Sequence, residues 1–117
     1  MQMDDATLTD LCKRLNESEV FQRAVTKAGA FLFQIDGQSI FLRMEPGRCA
    51  EARLGGTPEE ADFVIEASPE VWEKLLRGEI DVVSAFTRGQ LKLKKGNLFA
   101  LMPYAQAAKA IFEAFRT

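Results

Sequence analysis

Near Ala28 the apolar residues of this 117-residue chain change their spacing from helical to alternating, and that switch restricts the fold more than any other feature. Before it, Leu8, Leu11, Cys12 and Leu15 recur at helical spacing, and after Asn16 a second stripe runs through Val20, Phe21, Ala24, Val25 and Ala28. Two opening helices are predicted, the second capped by Ser18 and stopped at Gly29. After the switch, Phe31, Phe33 and Ile35 alternate with Leu32 and Gln34, and Ile40, Leu42 and Met44 alternate with Phe41, Arg43 and Glu45. Asp36-Gly37 between the two runs predicts a tight hairpin, because both central residues of a type I′ turn need positive φ. Pro46-Gly47 predicts a second turn into a weaker strand over residues 48–54, with Ala50, Ala52 and Leu54 on one face. A fourth strand is expected at Phe63, Val64 and Ile65.

The second half of the chain returns to helices. Ser68-Pro69-Glu70 places a capping hydroxyl, a first-turn proline and an acid in the order that opens a helix. That helix carries Val71, Trp72, Leu75 and Leu76 on one side and is expected to stop at Gly78. Asp81 caps a shorter one with Val82, Val83 and Phe86, ending at Gly89. Gln90-Leu91-Lys92-Leu93-Lys94 then reads as a strand with leucines inward and lysines outward. From Asn97 onward the pattern is helical, with Pro103 kinking the helix or beginning another. Helices, four strands, helices, one strand and helices fit an α+β fold, an antiparallel sheet covered by helices on one face.

With 47% hydrophobic and 27% charged residues, the composition is that of one soluble domain spanning residues 1–117. There is no histidine. Ser-His-Asp and Cys-His nucleophile systems, imidazole metal ligands and a histidine pH switch are therefore excluded. No metal site or cofactor is expected. Cys12 and Cys49, 37 positions apart, form no C-x-x-C motif and are read as small apolar packing residues, with a structural disulfide as the lesser alternative. The acidic start, Met1-Gln2-Met3-Asp4-Asp5, lacks the basic and apolar regions of an export signal, and no apolar run is long enough to span a membrane, so a cytoplasmic location is expected. Glu59-Glu60 reads as solvated surface and Gly55-Gly56 as a turn.

The overall charge of −2 argues against nucleic acid as a partner and conceals an asymmetry. Residues 1–81 carry nine Lys/Arg against sixteen Asp/Glu, whereas residues 82–117 carry six against one. Arg88, Lys92, Lys94 and Lys95 fall within eight residues. They read either as the solvated face of an edge strand or as a landing site for anionic head groups.

Between Trp72 and Leu101 the chain becomes more specific than its fold class. Leu76-Arg77-Gly78-Glu79-Ile80-Asp81, Ser84-Ala85-Phe86, Gly89-Gln90-Leu91-Lys92-Leu93-Lys94 and Gly96-Asn97-Leu98, preceded by the Asp36-Gly37 hairpin, resemble in order the sterol carrier protein 2 lipid-binding family over about residues 20–112. The stretch Arg48-Cys49-Ala50-Glu51 is poorer in aromatic residues than that family's pattern. The ending Phe115-Arg116-Thr117 is not the Ser-Lys-Leu address of peroxisomal members. The resemblance implies a five-stranded, mainly antiparallel sheet whose helices enclose an apolar cavity for an acyl chain, sterol or isoprenoid.

That implication changes how the last helix is read. By their pattern alone, Phe99, Met102, Tyr104, Ile111, Phe112 and Phe115, separated by Ala105, Ala107, Ala108, Ala110 and Ala114, are core or a homodimer contact. Under the resemblance they become a cavity wall, because large side chains between alanines leave space beside a sheet. The expected wall is Trp72, Leu76, Val83, Phe86, Phe99, Met102, Ile111, Phe112 and Phe115. The expected function is non-catalytic binding, and transfer, of a lipid or another apolar small molecule. The alternative is an accessory protein that binds a partner enzyme and presents a lipid-like precursor, as in quinone synthesis.

Overall fold

The computed structural model describes residues 4–116; Met1, Gln2 and Met3 of the acidic start, Thr117 and the side chain of Arg116 lie outside the described residues. The chain opens with α1 (Asp5–Asn16) and α2 (Glu19–Ala24). The Asp4 carboxylate accepts the Thr7 N–H at 2.8 Å to begin α1, and the Ser18 hydroxyl accepts the Phe21 N–H at 3.3 Å to begin α2. The second helix stops well before Gly29: Val25 turns extended, and its carbonyl accepts the Gly47 N–H at 2.9 Å from the turn between the next strands.

Five strands follow: β1 (Gly29–Ile35), β2 (Gln38–Glu45), β3 (Arg48–Leu54), β4 (Phe63–Ala67) and β5 (Leu91–Lys95). The expected hairpin joins β1 and β2, with φ of 47° at Asp36 and 82° at Gly37, and Ile35 faces Gln38 across it. The strand order is β3-β2-β1-β4-β5, antiparallel at every pair except β1 with β4, which run parallel. Between β4 and β5 lie α3 (Pro69–Arg77), capped by Ser68, and α4 (Val82–Thr87), capped by Asp81. The Asp81 carboxylate takes both the N–H and the hydroxyl of Ser84, and these bonds hold it below its ordinary pKa. After β5 come α5 (Leu98–Leu101), a 3₁₀ turn at Met102–Tyr104 that absorbs Pro103, and α6 (Ala105–Arg116).

The helices cover one face of the sheet. Phe31 and Ile35, Ile40 to Met44 in alternation, Phe63, Ile65 and Leu91 are buried there against Leu8, Leu11, Leu15, Phe21, Trp72, Leu75 and the inner side of α6. On the other face a smaller cluster, Ala30, Leu32, Phe41, Ala61 and Val64, is buried beneath the 55–62 segment with its 3₁₀ turn at Pro58–Glu60. Gly56 is pressed against Phe41 and Leu32, and the Arg53 guanidinium lies 4.5 Å over the Phe41 ring.

Strand β3 departs from simple alternation. Arg43 pairs with Glu51 but Met44 pairs with Cys49, so Ala50 is the extra residue of a β-bulge. The phase therefore changes along the strand: Cys49, Ala52 and Leu54 face the helices, and Ala50 does not share their face as its spacing suggests. That turn inward brings Cys49 to Cys12 on α1. The two form a disulfide with Cα atoms 5.4 Å apart, in place of two packing thiols. One helical turn beyond Cys12, the Asn16 amide donates to the Cys49 carbonyl at 2.9 Å and accepts its N–H at 2.7 Å, so the end of α1 is docked on β3 at two successive turns.

Candidate lipid cavity

Between the helix-side face of the sheet and the second-half helices lies an opening of about 190 Å³. Its floor is sheet: Phe31 and Phe33 from β1, Leu42 and Met44 from β2, Ile65 from β4 and Leu91 from β5. These side chains converge because they occupy alternate positions of neighbouring strands. One wall is α3, through Trp72 and Leu75, whose orientation follows from the Ser68 cap and the three-residue spacing that places Leu75 beside Trp72. The opposite wall is α6, through Ala105, Ala108, Ile111 and Phe112, where the alanines leave the room. The rim consists of Val82, Val83, Phe86 and Thr87 of α4 together with Leu98, Leu101 and Met102 beyond β5.

Aromatic contacts stiffen this frame. Trp72 meets Phe112 edge-on at 5.4 Å and Phe33 at 5.7 Å, and Phe31 stacks on Phe63 at 5.1 Å. Tyr104 stands edge-on to Phe31 at 4.9 Å, and its hydroxyl donates to the Ala28 carbonyl at 2.7 Å. It packs so close to Gly29 that a Cβ there would lie 2.7 Å from the hydroxyl oxygen. The start of β1 and the turn before α6 are thereby locked together. Burial, and then the negative charge of Asp62, push the Tyr104 hydroxyl above its ordinary pKa. The other hydroxyl in the lining, Thr87 Oγ1, donates to the Val83 carbonyl at 2.9 Å. Both hydroxyls of the lining are already bonded to backbone. Among the described residues, no group of three or more Cys, Asp or Glu side chains converges to hold a metal ion, and no helix is long and apolar enough to cross a membrane.

Of the residues expected in the wall, Trp72, Val83, Phe86, Met102, Ile111 and Phe112 line the opening. Leu76, Phe99 and Phe115 do not. Leu76 is buried on the core side of α3, and Leu75, one position earlier, takes the lining place. Phe115 is buried behind the wall, 6.2 Å from both Trp72 and Phe112. Phe99 points outward and is 86% exposed. The expected wall omits the sheet floor, although the alternation of Phe31 with Phe33 and of Leu42 with Met44 carries the signal.

The basic cluster does not gather at this opening. Glu66 and Lys92 are cross-strand partners, and their neighbours Ile65 and Leu91 line the cavity, so Lys92 lies on the other face of the sheet. Lys94 follows it there, with Nζ 4.0 Å from Glu66, and Lys95 donates to the Pro58 carbonyl at 2.9 Å on the same side. Arg88 stands apart as the residue that closes α4, where it interacts with Asp81.

No curated protein matches the chain. Its architecture is that of a crystal structure of sterol carrier protein 2, at 35% identity over 96% of this chain and 95% of that one, with a TM-score of 0.87. A conserved hypothetical protein from Thermus thermophilus is also 35% identical, over 99% of this chain and 88% of its own, with a TM-score of 0.84. The palmitated SCP2L2 of Aedes aegypti, at 16% identity over 93% and 95% of the two chains and a TM-score of 0.63, shares the fold. A family model described as the SCP-2 sterol transfer family matches residues 4–109, and with two structural relatives at 35% identity along nearly the whole chain, this protein belongs to that family.

Proposed function

We propose that this protein binds the apolar tail of a single lipid between the sheet and α6 and carries it without chemical change, the polar head remaining at the rim. The observation that carries this reading is the lining. It is apolar and carries no charged side chain, and its two hydroxyls, Thr87 and Tyr104, each already donate to a backbone carbonyl. A carboxylate or phosphate drawn inside would find no cation, and burying an unpaired charge is far costlier than leaving it in water. A hydrocarbon tail meets no such penalty and gains about 0.8 kcal/mol for each methylene removed from water. Left empty, an opening of about 190 Å³ would cost at most about 4 to 5 kcal/mol at about 24 cal/mol per Å³, a large part of a domain stability of about 5 to 15 kcal/mol. The Aedes aegypti protein of the same fold, described as palmitated, fits a ligand of this class.

The test is titration of delipidated protein with a fluorescent long-chain fatty acid, read also through the emission of Trp72, the sole tryptophan. Saturable uptake with a change in Trp72 emission is expected, because the indole forms part of the wall. Absence of uptake, together with absence of lipid in an organic extract of the freshly purified protein, would refute the reading.

A further inference from the structure

The opening is small for the range of lipids its apolar lining could attract. An apolar cavity of about 150 Å³ holds one benzene ring, about 25 Å³ for each carbon, so an opening of about 190 Å³ takes about seven or eight carbons. The fused rings of a sterol alone contain about twice that number. Which lipids fit therefore depends on where the walls can give.

Three sides are fixed. The floor is the hydrogen-bonded sheet. Helix α3 bears on it through Trp72, whose ring lies 5.7 Å from Phe33 and 5.4 Å from Phe112 of α6. Helix α6 is held at both ends. Just before its first turn, Tyr104 donates to the Ala28 carbonyl and stands edge-on to Phe31 at 4.9 Å and to Phe63 at 5.7 Å. In its last turns the Arg14 guanidinium of α1 donates to the Ala114 carbonyl at 3.0 Å, and Phe115 lies 6.2 Å from Trp72. Widening the gap between sheet and α6 would break these contacts together. The fourth side is different: α4 buries only Ala85, α5 buries no residue, and Val83, Leu98 and Met102, which line the opening, are 60%, 52% and 66% exposed. Room can be gained along one direction, outward through the mouth, and not across. A jointed chain can use such a space, its terminal carbons enclosed and the next ones laid against Val83, Leu98 and Met102, whereas a rigid plate of fused rings cannot bend to follow it.

We propose that this protein selects unbranched acyl chains over sterols, enclosing about the last seven or eight carbons of a chain and leaving the rest along the exposed rim. The proposal rests on the lipid-binding reading and narrows the class of its ligand.

The delipidated full chain would be titrated with saturated fatty acids from hexanoate to palmitate and with dehydroergosterol, read by Trp72 emission and by displacement of a fluorescent fatty acid. Within the enclosed length each added methylene should tighten binding by about fourfold. From about decanoate onward the gain should fall to about twofold or less for each methylene, because a carbon on the exposed rim loses only part of its water. The sterol, of which only the side chain can enter, should bind at least about 10-fold more weakly than palmitate. Ile111→Ala, which removes three carbons from the wall, should move the break in the series by about three carbons toward longer chains. The wild-type series decides the matter even if that variant does not fold. Sterol binding as tight as that of palmitate, a fourfold gain that continues to palmitate, or a break that a folded Ile111→Ala leaves in place would each overturn the proposal and leave the lipid-binding reading standing. Absence of uptake of every fatty acid and of the sterol would remove both.

Discussion

Replacing Ala108 with leucine tests whether the space beside α6 is real, because it should move stability and binding in opposite directions. Ala108 faces the opening from α6, across from the sheet floor. Leucine adds three carbons where there is room, worth about 2.4 kcal/mol at about 0.8 kcal/mol per methylene, less about 0.5 to 1 kcal/mol of side-chain entropy. A net gain of about 1.5 to 2 kcal/mol follows for the delipidated protein. Unfolding entropy for 117 residues is about 0.25 kcal/mol per degree, so the melting temperature should rise by roughly 6 to 8 °C. The same three carbons occupy the volume of about three methylenes of the ligand, which should weaken fatty-acid binding by about 50-fold. Ala107 provides the control: it is fully buried and does not line the opening, so Ala107→Leu should overpack the core and destabilise by about 1 to 3 kcal/mol. Calorimetry of the delipidated proteins and fluorescence titration measure the two effects. If Ala108→Leu destabilises as Ala107→Leu does, or leaves binding unchanged, the space is closed core and the argument fails.

The Cys12–Cys49 bridge spans 37 residues, a closure worth about 4 kcal/mol on the chain-entropy account, so Cys12→Ala/Cys49→Ala should melt about 15 °C below the oxidised protein; a difference of only a few degrees would contradict that account. Because disulfides persist where the surroundings oxidise, alkylation of thiols in intact cells should leave both cysteines unlabelled, and labelling of both would place the protein in a reducing compartment. Tyr104 predicts an alkaline limit. Its hydroxyl pKa is raised in the folded state, so the folded chain keeps this proton where the unfolded chain has released it. The contribution is therefore complete below about pH 10 and declines as pH rises beyond that value. Urea midpoints measured from pH 8 upward should show this decline in wild type in excess of that in Tyr104→Phe; parallel curves would exclude it.

Local chemistry was legible and non-local pairing was not. The caps at Ser18, Ser68 and Asp81 and the Asp36-Gly37 turn each depend on a few adjacent atoms, and all occur where the residues place them. The parallel pairing of β1 with β4 has no local signature, since it joins segments about thirty residues apart through register alone. Cys49 shows how one unseen residue propagates: the bulge at Ala50 reverses the phase of β3, carries Cys49 inward and so permits the disulfide that spacing alone leaves as the lesser alternative. The same limit governs the site. Periodicity places Trp72, Leu75 and Leu76 on one side of a helix, but whether the third or the fourth residue on faces a space or the core depends on where α6 lies, and that is a tertiary fact. Periodicity also separates Lys92 from Leu91 without saying which face of β5 the helices will cover. The family resemblance puts Phe99 in the wall, where its pattern alone reads as core or a dimer contact, because an aromatic residue in a helical segment is ordinarily buried. The four-residue length of α5 and the break at Pro103 instead leave it outside, in the same short segment as Leu98 and Met102, which are both exposed and lining. A phenyl ring that the resemblance expects in the wall, and that the structure holds outside it, is where sequence reasoning and structure differ most.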